Sequence, residues 1–296
     1  MSGQAWERHD AGEVVVDGLN FPEGAYWSAR DGCLYFVEWA GDKVWRLREG
    51  KPEVFFTAQP GDGPCGLGRD REGNLWVTLY SSGRVAQLSL SGRVLRLIDG
   101  YQGEPFKGPN QLIIDARGGV YFTDSGHFED DWTTGRPAGS IYYLSPAGDL
   151  IQVDAGLCFS NGIALSPDGT RLLVNEHRKN RVLQYDINPD GMLSGRRVLA
   201  ELDDNCLLPA DHAYELGPDG MCRDEAGLLW VAHYGGGKVI ALSLEGAVLG
   251  RIHLARGRKP TNVALDERAR ALYVTESETG VLYRIDLTQG PDTERS

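Results

Sequence analysis

The chain has 296 residues and a formal net charge of −12, with 30 basic and 42 acidic residues. This balance disfavours binding to nucleic acid or to an anionic membrane surface, because both need clustered basic side chains. The five cysteines form no CxxC pair, no apolar run approaches the ~20 residues of a membrane span, and the start MSGQAWERHD lacks an apolar signal stretch. We therefore expect a cytoplasmic protein with reduced thiols.

A repeated pattern of short strands runs along the whole chain. The first strands of the repeats lie at 22–27, 64–70, 109–115, 160–166, 218–224 and 260–266. Aromatic-rich second strands follow at 33–39, 74–80, 119–125, 171–177, 228–234 and 271–277. Third strands lie at 43–48, 84–90, 140–145, 181–187, 238–244 and 281–287. A period of about forty to fifty residues with several strands per repeat predicts propeller blades.

Fourth strands complete only five of the repeats, at 52–57, 92–98, 149–155, 195–202 and 246–254. The sixth repeat ends at Leu287, whereas the segment 12–19 (GEVVVDGL) precedes the first repeat and has the same Val-rich pattern. Joining this segment to the last blade would leave no open sheet edge between the first and last blades. We predict an all-β fold: a six-bladed β-propeller with four antiparallel strands per blade, in one domain over 1–296 with a core of about 12–288.

One position recurs near the start of every first strand, eleven or twelve residues before the second-strand aromatic residue or its aliphatic equivalent. Its occupants are Glu23, Cys65, Asn110, Asn161, Asp219 and Thr261. Because the first strand of a blade is innermost, four oxygen-bearing side chains could converge near the axis and bind a hard divalent cation. Asn and Asp are also ordinary turn residues, and a turn explains the Pro-Asp-Gly residues Asp168 and Asp190. A turn is the favoured reading of one such residue, but four in register favour a metal site.

Several segments resemble the SMP-30/gluconolactonase/LRE-like family, which includes regucalcin and sugar lactonases. They are FPEGAYW (21–27), GPNQLIIDARGGVYFTDSG (108–126), SNGIALSPDG (160–169), PDGMCRDEAGLLWVAHYGGGKV (218–239) and KPTNVALDERARALYVTESETG (259–280). The resemblance runs from about residue 12 to 288. It implies a six-bladed propeller whose central channel holds one divalent cation through Glu23, Asn110, Asn161 and Asp219. We favour Ca²⁺, with Zn²⁺, Mg²⁺ and Mn²⁺ as alternatives.

The sequence departs from the family pattern at three places near Asn110. Gln111 stands where the family often has Asp, Lys107 lies in a stretch where some members have a sugar-binding Arg, and Ser125 follows Asp124 where many members have Pro. We therefore treat Lys107, Gln111 and Asp124 as candidate substrate contacts. These departures leave the predicted metal ligands intact and make the substrate the open question.

The resemblance implies a hydrolase that opens a lactone to its hydroxy acid. A cation can polarise the carbonyl oxygen, and Asp219, as ligand and base, could take a proton from the attacking water. The ends of the second strands place further side chains on the same rim, including Trp39, Tyr80, His177 and the candidate substrate contacts His127, His233 and Tyr234. Histidine titrates near neutral pH, so His127 and His233 are secondary acid-base candidates. A single rim histidine is more often a hydrogen-bonded wall residue, and we rank both below Asp219.

Other readings stay open at this stage. The same centre could hydrolyse a phosphotriester, or the propeller could bind calcium without catalysis. Two long rim connections, 124–139 and 201–217, could be lids over a substrate or solvated loops. We expect a small-molecule lactone as the partner, without nucleic acid or membrane, and the sequence does not indicate an oligomeric state.

Overall fold

The structure is a computed structural model that describes residues 5–126, 137–202 and 216–288. In these ranges the strands form six small sheets, each built around an antiparallel meander. The innermost strand of each sheet packs beside that of the next, and the sixth packs beside the first. The predicted all-β, six-bladed propeller is confirmed.

The first three blades follow the predicted strand order. Blade one contains β3 (Pro22–Ser28), β4 (Cys33–Glu38), β5 (Lys43–Arg48) and β6 (Lys51–Thr57). Blade two contains β7 (Pro64–Arg69), β8 (Leu75–Leu79), β9 (Arg84–Leu88) and β10 (Val94–Ile98). Blade three contains β11 (Pro109–Ile114), β12 (Val120–Asp124), β13 (Gly139–Leu144) and β14 (Leu150–Leu157).

The last three blades include both strands from the N-terminal region. Blade four contains β15 (Ser160–Leu165), β16 (Arg171–Glu176), β17 (Arg181–Ile187) and β18 (Leu193–Glu201). Blade five contains β19 (Gly217–Arg223), β20 (Leu229–Tyr234), β21 (Lys238–Leu242), β22 (Val248–Leu254) and β1 (Trp6–Ala11). Blade six contains β23 (Pro260–Asp266), β24 (Ala271–Glu276), β25 (Val281–Asp286) and β2 (Glu13–Val16). Short 3₁₀ turns lie at Trp39–Gly41 and His177–Lys179.

The N-terminal segment closes the ring as predicted. Strand β2 pairs antiparallel with β25, and Val14 lies opposite Tyr283. Just before it, Gly12 crosses the Tyr283 ring so closely that a Cβ would lie 2.7 Å from a ring carbon. The N-terminal strand therefore supplies the outer strand of the last blade, and the chain that follows it enters the first blade.

Strand β1 was not anticipated from the sequence. It pairs in parallel with β22, outside the predicted four strands of blade five. The Trp6 ring lies over Gly250, where a Cβ would be 2.0 Å from the indole, and its centroid is 6.4 Å from that of Trp230. Blade five therefore has five strands, and Gly250 of β22 leaves the space that the Trp6 ring occupies.

The core is divided among the interfaces between neighbouring blades. Within the described residues, six clusters of buried apolar side chains each combine residues from two adjacent blades. Both faces of each sheet are therefore covered, and central strands such as β4 are buried at every position. Sheets buried on both faces read as continuous apolar runs, which explains the second-strand pattern. In the described ranges, no helix has the length and apolar character that a bilayer crossing requires.

Candidate metal centre

A cavity of about 430 Å³ lies against the starts of the innermost strands. All four predicted metal ligands line it, and each is almost fully buried, with 2 to 6% of its surface exposed. The described lining consists of Phe21, Glu23, Trp39, Cys65, Tyr80, Asn110, Phe159, Asn161, His177, Asp219 and Tyr234. The repeat register therefore brings the four oxygen-bearing side chains to one place, although they are far apart in the chain.

Hydrogen bonds between blades hold the backbone of the predicted ligands. In three cases a side chain on the second strand of one blade donates to the ligand residue's carbonyl oxygen in the next blade. The pairs are Thr78 with Asn110, Thr123 with Asn161 (2.7 Å) and Asn175 with Asp219 (2.5 Å). Next to Glu23, the Pro22 carbonyl accepts from Thr261 Oγ1 of blade six at 2.7 Å. The ring thus positions each ligand from its neighbouring blade.

Glycine after the predicted ligand position allows the innermost strands to approach closely. Glycine occupies this place in four blades, as Gly24, Gly66, Gly162 and Gly220. A Cβ on Gly66 would lie 2.4 Å from the Asn110 carbonyl oxygen, and one on Gly162 would lie 2.3 Å from that of Asp219. This close approach is visible in the sequence as a repeated X-Gly pair at the blade starts.

Burial raises the pKa of both carboxyl groups of the centre, and the Glu23 charge raises that of Asp219 further. Burial raises the pKa of Glu23 to about 8, with only its hydrogen bond from the Gly24 N–H opposing the shift. Burial and the Glu23 charge hold the pKa of Asp219 well above its ordinary value. Two like charges in a low-dielectric site are unfavourable unless a cation lies between them.

Unpartnered oxygens provide a test of whether a cation fits. Asp219 Oδ1 and Asn161 Oδ1 are buried and have no hydrogen-bond partner among the described residues. Asn110 Nδ2 donates to Ser125 Oγ at 3.1 Å, which directs its Oδ1 toward Cys65, whose thiol donates to it at 3.4 Å. Buried polar atoms are rarely left unsatisfied. Carboxylate and amide oxygens in this arrangement fit a hard dication.

The candidate substrate contacts differ in whether they line the cavity. Tyr234 lines the cavity, whereas Lys107, Gln111, Asp124 and His233 are not among the described lining residues. His127 lies outside the described residues, as do most of the two connections predicted as lids or solvated loops. The roles of these residues stay predictions.

Asp124 holds the chain that precedes Asn110. Its carboxylate accepts the Lys107 N–H at 3.0 Å and the Gly126 N–H at 3.2 Å. Carboxylates at the same register of other blades accept equivalent N–H groups at 2.8 to 2.9 Å, in the pairs Glu38 with Asn20, Glu176 with Cys158 and Glu276 with Lys259. Asp124 therefore has a structural task repeated around the ring.

In blade five, His233 occupies the strand position that Asp124 occupies in blade three. It is fully buried, and its Nε2 lies 2.8 Å from Asn180 Oδ1 in the turn of blade four. Gln111 is likewise buried, and its side chain lies against Gly66, whose Cβ would be 3.0 Å from Gln111 Oε1. Both side chains pack between blades, which accounts for their absence from the described lining.

A second group of metal-binding residue types lies on the outer edge of blade five. Side-chain ligand atoms of Glu7, His9 and His253 are within 4.8 Å of one another. Glu7 already contacts His253 Nε2 at 2.7 Å and Arg251 Nη1 at 2.9 Å through separate oxygens. We interpret this group as polar contacts that hold β1 on β22, because both Glu7 oxygens have cationic or donor partners.

Comparison with known proteins identifies the family. The family model described as SMP-30/gluconolactonase/LRE-like region matches residues 21–278. The chain belongs to this family. The SMP-30/gluconolactonase/LRE-like resemblance inferred from the motifs is therefore confirmed.

Relatives in this family carry lactonase names. A gluconolactonase of Zymomonas mobilis is 26% identical, with 92% of this chain and 80% of that protein covered. An L-arabinolactonase of Azospirillum brasilense is 27% identical, with 92% and 87% covered. A solved structure described as the calcium-binding protein regucalcin from Agrobacterium tumefaciens has a TM-score of 0.78 at 18% identity, with 95% of both chains covered. At that identity, the solved structure supports the fold alone.

Proposed function

We propose that this chain is a metal-dependent hydrolase that opens a lactone to its hydroxy acid at the axial centre. The observation that carries the proposal is a pair of buried oxygens, Asp219 Oδ1 and Asn161 Oδ1, that have no hydrogen-bond partner among the described residues and lie in the same cavity as the Glu23 carboxyl group. The lactonase names of the relatives favour this reaction over others that a cation can assist.

Glu23, Asn110, Asn161 and Asp219 would hold the cation. An all-oxygen set with two carboxylates favours Ca²⁺, while Mg²⁺, Mn²⁺ and Zn²⁺ remain alternatives for the same ligands. When bound, such a cation supplies Lewis-acid polarisation of a carbonyl and neutralises the developing negative charge.

Asp219 would take the proton from the attacking water. With its Oδ1, which has no hydrogen-bond partner among the described residues, as the ligand atom, the second oxygen of the same carboxylate would accept the proton. The hydrogen bond from Asn175 to the Asp219 backbone carbonyl, at 2.5 Å, fixes the position of this residue. The proton then goes to the ring oxygen of the lactone as the ester bond breaks, which gives a hydroxy acid.

The test uses purified protein and a panel of lactones in a pH-stat assay, with a chelator and after addition of single metals. We expect hydrolysis that the chelator abolishes and Ca²⁺ restores. Asp219→Ala should lose the activity with an unchanged circular dichroism spectrum. The matched control is Asp190→Ala, which alters an exposed Asp in another Pro-Asp-Gly tripeptide and should leave the activity intact.

Other results would reject the proposal. Turnover of a phosphotriester but of no lactone would move the assignment to the phosphotriesterase alternative. Calcium binding without turnover of any ester would favour the non-catalytic alternative. Chelator-resistant lactone hydrolysis would remove the metal from the mechanism.

A further inference from the structure

The aromatic residues of the cavity form two equivalent sets. Wall one consists of Phe21, Trp39 and Tyr80 from blades one and two, and wall two consists of Phe159, His177 and Tyr234 from blades four and five. Each Phe lies two residues before a predicted ligand, and each middle residue begins a 3₁₀ turn. Each Tyr follows or ends the second strand of the next blade. The same aromatic arrangement therefore occurs twice, three blades apart.

The rings within each wall contact one another. In wall one the ring centroids are 5.4 Å apart for Phe21 and Trp39, and 6.4 Å apart for Trp39 and Tyr80. In wall two the corresponding separations are 5.6 Å for Phe159 and His177, and 5.8 Å for His177 and Tyr234. Blades one and four are opposite in a six-membered ring, as are blades two and five. The walls therefore lie on opposite sides of the axis, with the predicted metal ligands between them.

Both walls depend on the same unusual backbone conformation. Phe21 has φ +57° and Phe159 has φ +62°, a left-handed conformation that is unfavourable for a bulky side chain. The Trp39 N–H donates to the Phe21 carbonyl at 2.9 Å, and the His177 N–H donates to the Phe159 carbonyl at 3.1 Å. Strained conformations held by surrounding hydrogen bonds concentrate at ligand sites. The repetition in opposite blades indicates a shared task for the two phenylalanines.

We propose that the two walls form a slot for a lactone carrying a flat aromatic or unsaturated ring, in preference to a polyhydroxylated sugar lactone. This inference rests on the proposed lactonase function of the same cavity. Aromatic rings gain from stacked and edge contacts with other rings. Two facing walls would place both faces of such a ligand against aromatic side chains, with its carbonyl directed to the predicted metal ligands.

A sugar lactone is a poorer fit to the described lining. One apolar face of a sugar could lie on either wall, but its hydroxyl groups need hydrogen-bond partners when they leave water. Apart from the four predicted ligands, the polar groups of the described lining are the Cys65 thiol, the Trp39 N–H, the Tyr80 and Tyr234 hydroxyls and the His177 imidazole, and most of the lining surface is apolar. Lys107 and Gln111, near which the family pattern suggests sugar contacts, are not among the described lining residues.

The first test compares three six-membered lactones whose leaving group is an alkoxide: isochroman-3-one, δ-valerolactone and glucono-δ-lactone. For each, kcat/KM is divided by the rate of spontaneous hydrolysis, which removes differences in intrinsic reactivity. Isochroman-3-one carries a fused benzene ring, δ-valerolactone carries neither an aromatic ring nor hydroxyls, and glucono-δ-lactone carries several hydroxyls. We expect isochroman-3-one to exceed δ-valerolactone by about tenfold, as one aromatic contact can supply, and glucono-δ-lactone to rank last.

The second test removes one ring from each wall. Trp39→Leu and Tyr234→Leu should each lower kcat/KM for isochroman-3-one by about three- to tenfold more than kcat/KM for δ-valerolactone, mainly through KM. Phe55→Leu is the matched control, because Phe55 is an aromatic residue of the outer strand β6. Equal losses for isochroman-3-one and δ-valerolactone would show general damage to the site and would contradict a stacking role.

The outcomes distinguish this inference from the proposed function. If glucono-δ-lactone is the best substrate, the slot proposal fails while the lactonase function stands. If no lactone is hydrolysed, the proposed function fails. The slot is then tested by calorimetric binding of isochroman-3-one and δ-valerolactone to the Asp219→Ala protein. Tighter binding of isochroman-3-one, lost in an added Trp39→Leu change, supports the slot, and equal binding overturns it.

Discussion

Two groups of buried carboxylates in this propeller differ in their partners. At the rim, Glu276 is fully buried and accepts four hydrogen bonds, from the Lys259, Glu278 and Thr279 N–H groups and from the Thr279 hydroxyl. At the axis, Glu23 accepts one from its neighbour Gly24 at 3.2 Å, and Asp219 Oδ1 accepts none from the described residues.

This difference shows how one residue type serves two purposes at similar burial. A carboxylate surrounded by backbone donors stabilises the fold, because its lost hydration is replaced by hydrogen bonds. Two adjacent carboxyl groups with few donors are unfavourable by themselves, so they indicate a site that an external cation completes. The number of partners, rather than burial alone, separates the structural from the candidate functional acids.

The largest expected effect comes from neutralising the axial pair. Glu23→Gln and Asp219→Asn keep the side-chain shapes but remove a predicted ligand charge. Each should lower lactone hydrolysis by about 10³-fold, corresponding to several kcal/mol of lost charge stabilisation. The free energy of unfolding of the metal-free protein should not fall, because each change removes a carboxyl group whose charged form is disfavoured by burial in the folded state. Initial rates and urea denaturation in EDTA measure the two effects; a large loss of stability with retained activity would contradict the distinction.

A rim carboxylate should behave in the opposite way. Glu276→Gln replaces an acceptor oxygen with an amide group that faces N–H donors. We expect the free energy of unfolding to fall by about 2–3 kcal/mol, while activity per folded molecule stays within about twofold, since Glu276 is not among the described cavity lining residues. Chemical denaturation gives the first quantity, and rates normalised to folded protein give the second. Glu245→Gln, at an exposed turn, is the control and should change neither.

The stability of the metal-free protein should depend on pH through the axial carboxyl group of Glu23. The pKa of Glu23 is raised from 4.5 to about 8 in the folded state. Between these values the folded protein retains a proton that the unfolded chain has lost, so stability should fall as pH rises from about 4.5 to 8. The slope from this group is at most about 1.4 kcal/mol per pH unit. Urea denaturation in EDTA at several pH values tests this; an identical slope in Glu23→Gln would refute it.

The smallest expected effect is at an exposed carboxylate. Glu7 pairs with Arg251 and His253 at the outer edge of blade five, and 38% of its side-chain surface is exposed. Glu7→Gln should lower the free energy of unfolding by less than about 1 kcal/mol, because solvent and salt screen such pairs. Thermal unfolding at low and high salt should show a smaller difference at high salt. A loss comparable to that of Glu276→Gln would mean that β1 is essential to the fold.

Much of the fold and the predicted metal set could be read from the sequence because both follow local repetition. Each blade repeats the same order of apolar strands and turns, and the fixed register within a strand carries Glu23, Asn110, Asn161 and Asp219 to equivalent places. The missing sixth outer strand and the Val-rich segment at 12–19 were sufficient to predict ring closure. These inferences needed only strand periodicity and the geometry of a repeated unit.

Other features could not be predicted because they depend on distant surfaces. Strand β1 pairs with β22 from the opposite end of the chain, where Gly250 leaves room for the Trp6 ring. The interblade packing of His233 likewise depends on Asn180, which belongs to another blade.

The sequence by itself determined the six-bladed repeat, its closure and the oxygen-bearing register positions, because local periodicity decides which residues share a place in each blade. Only the tertiary structure decided which neighbouring side chains reach the cavity. Phe21 and Phe159 line it with left-handed backbones held by hydrogen bonds between residues eighteen positions apart, whereas Lys107 and Gln111 are not in its described lining. Side-chain direction at these places depends on backbone conformation and contacts between blades, which strand periodicity does not encode.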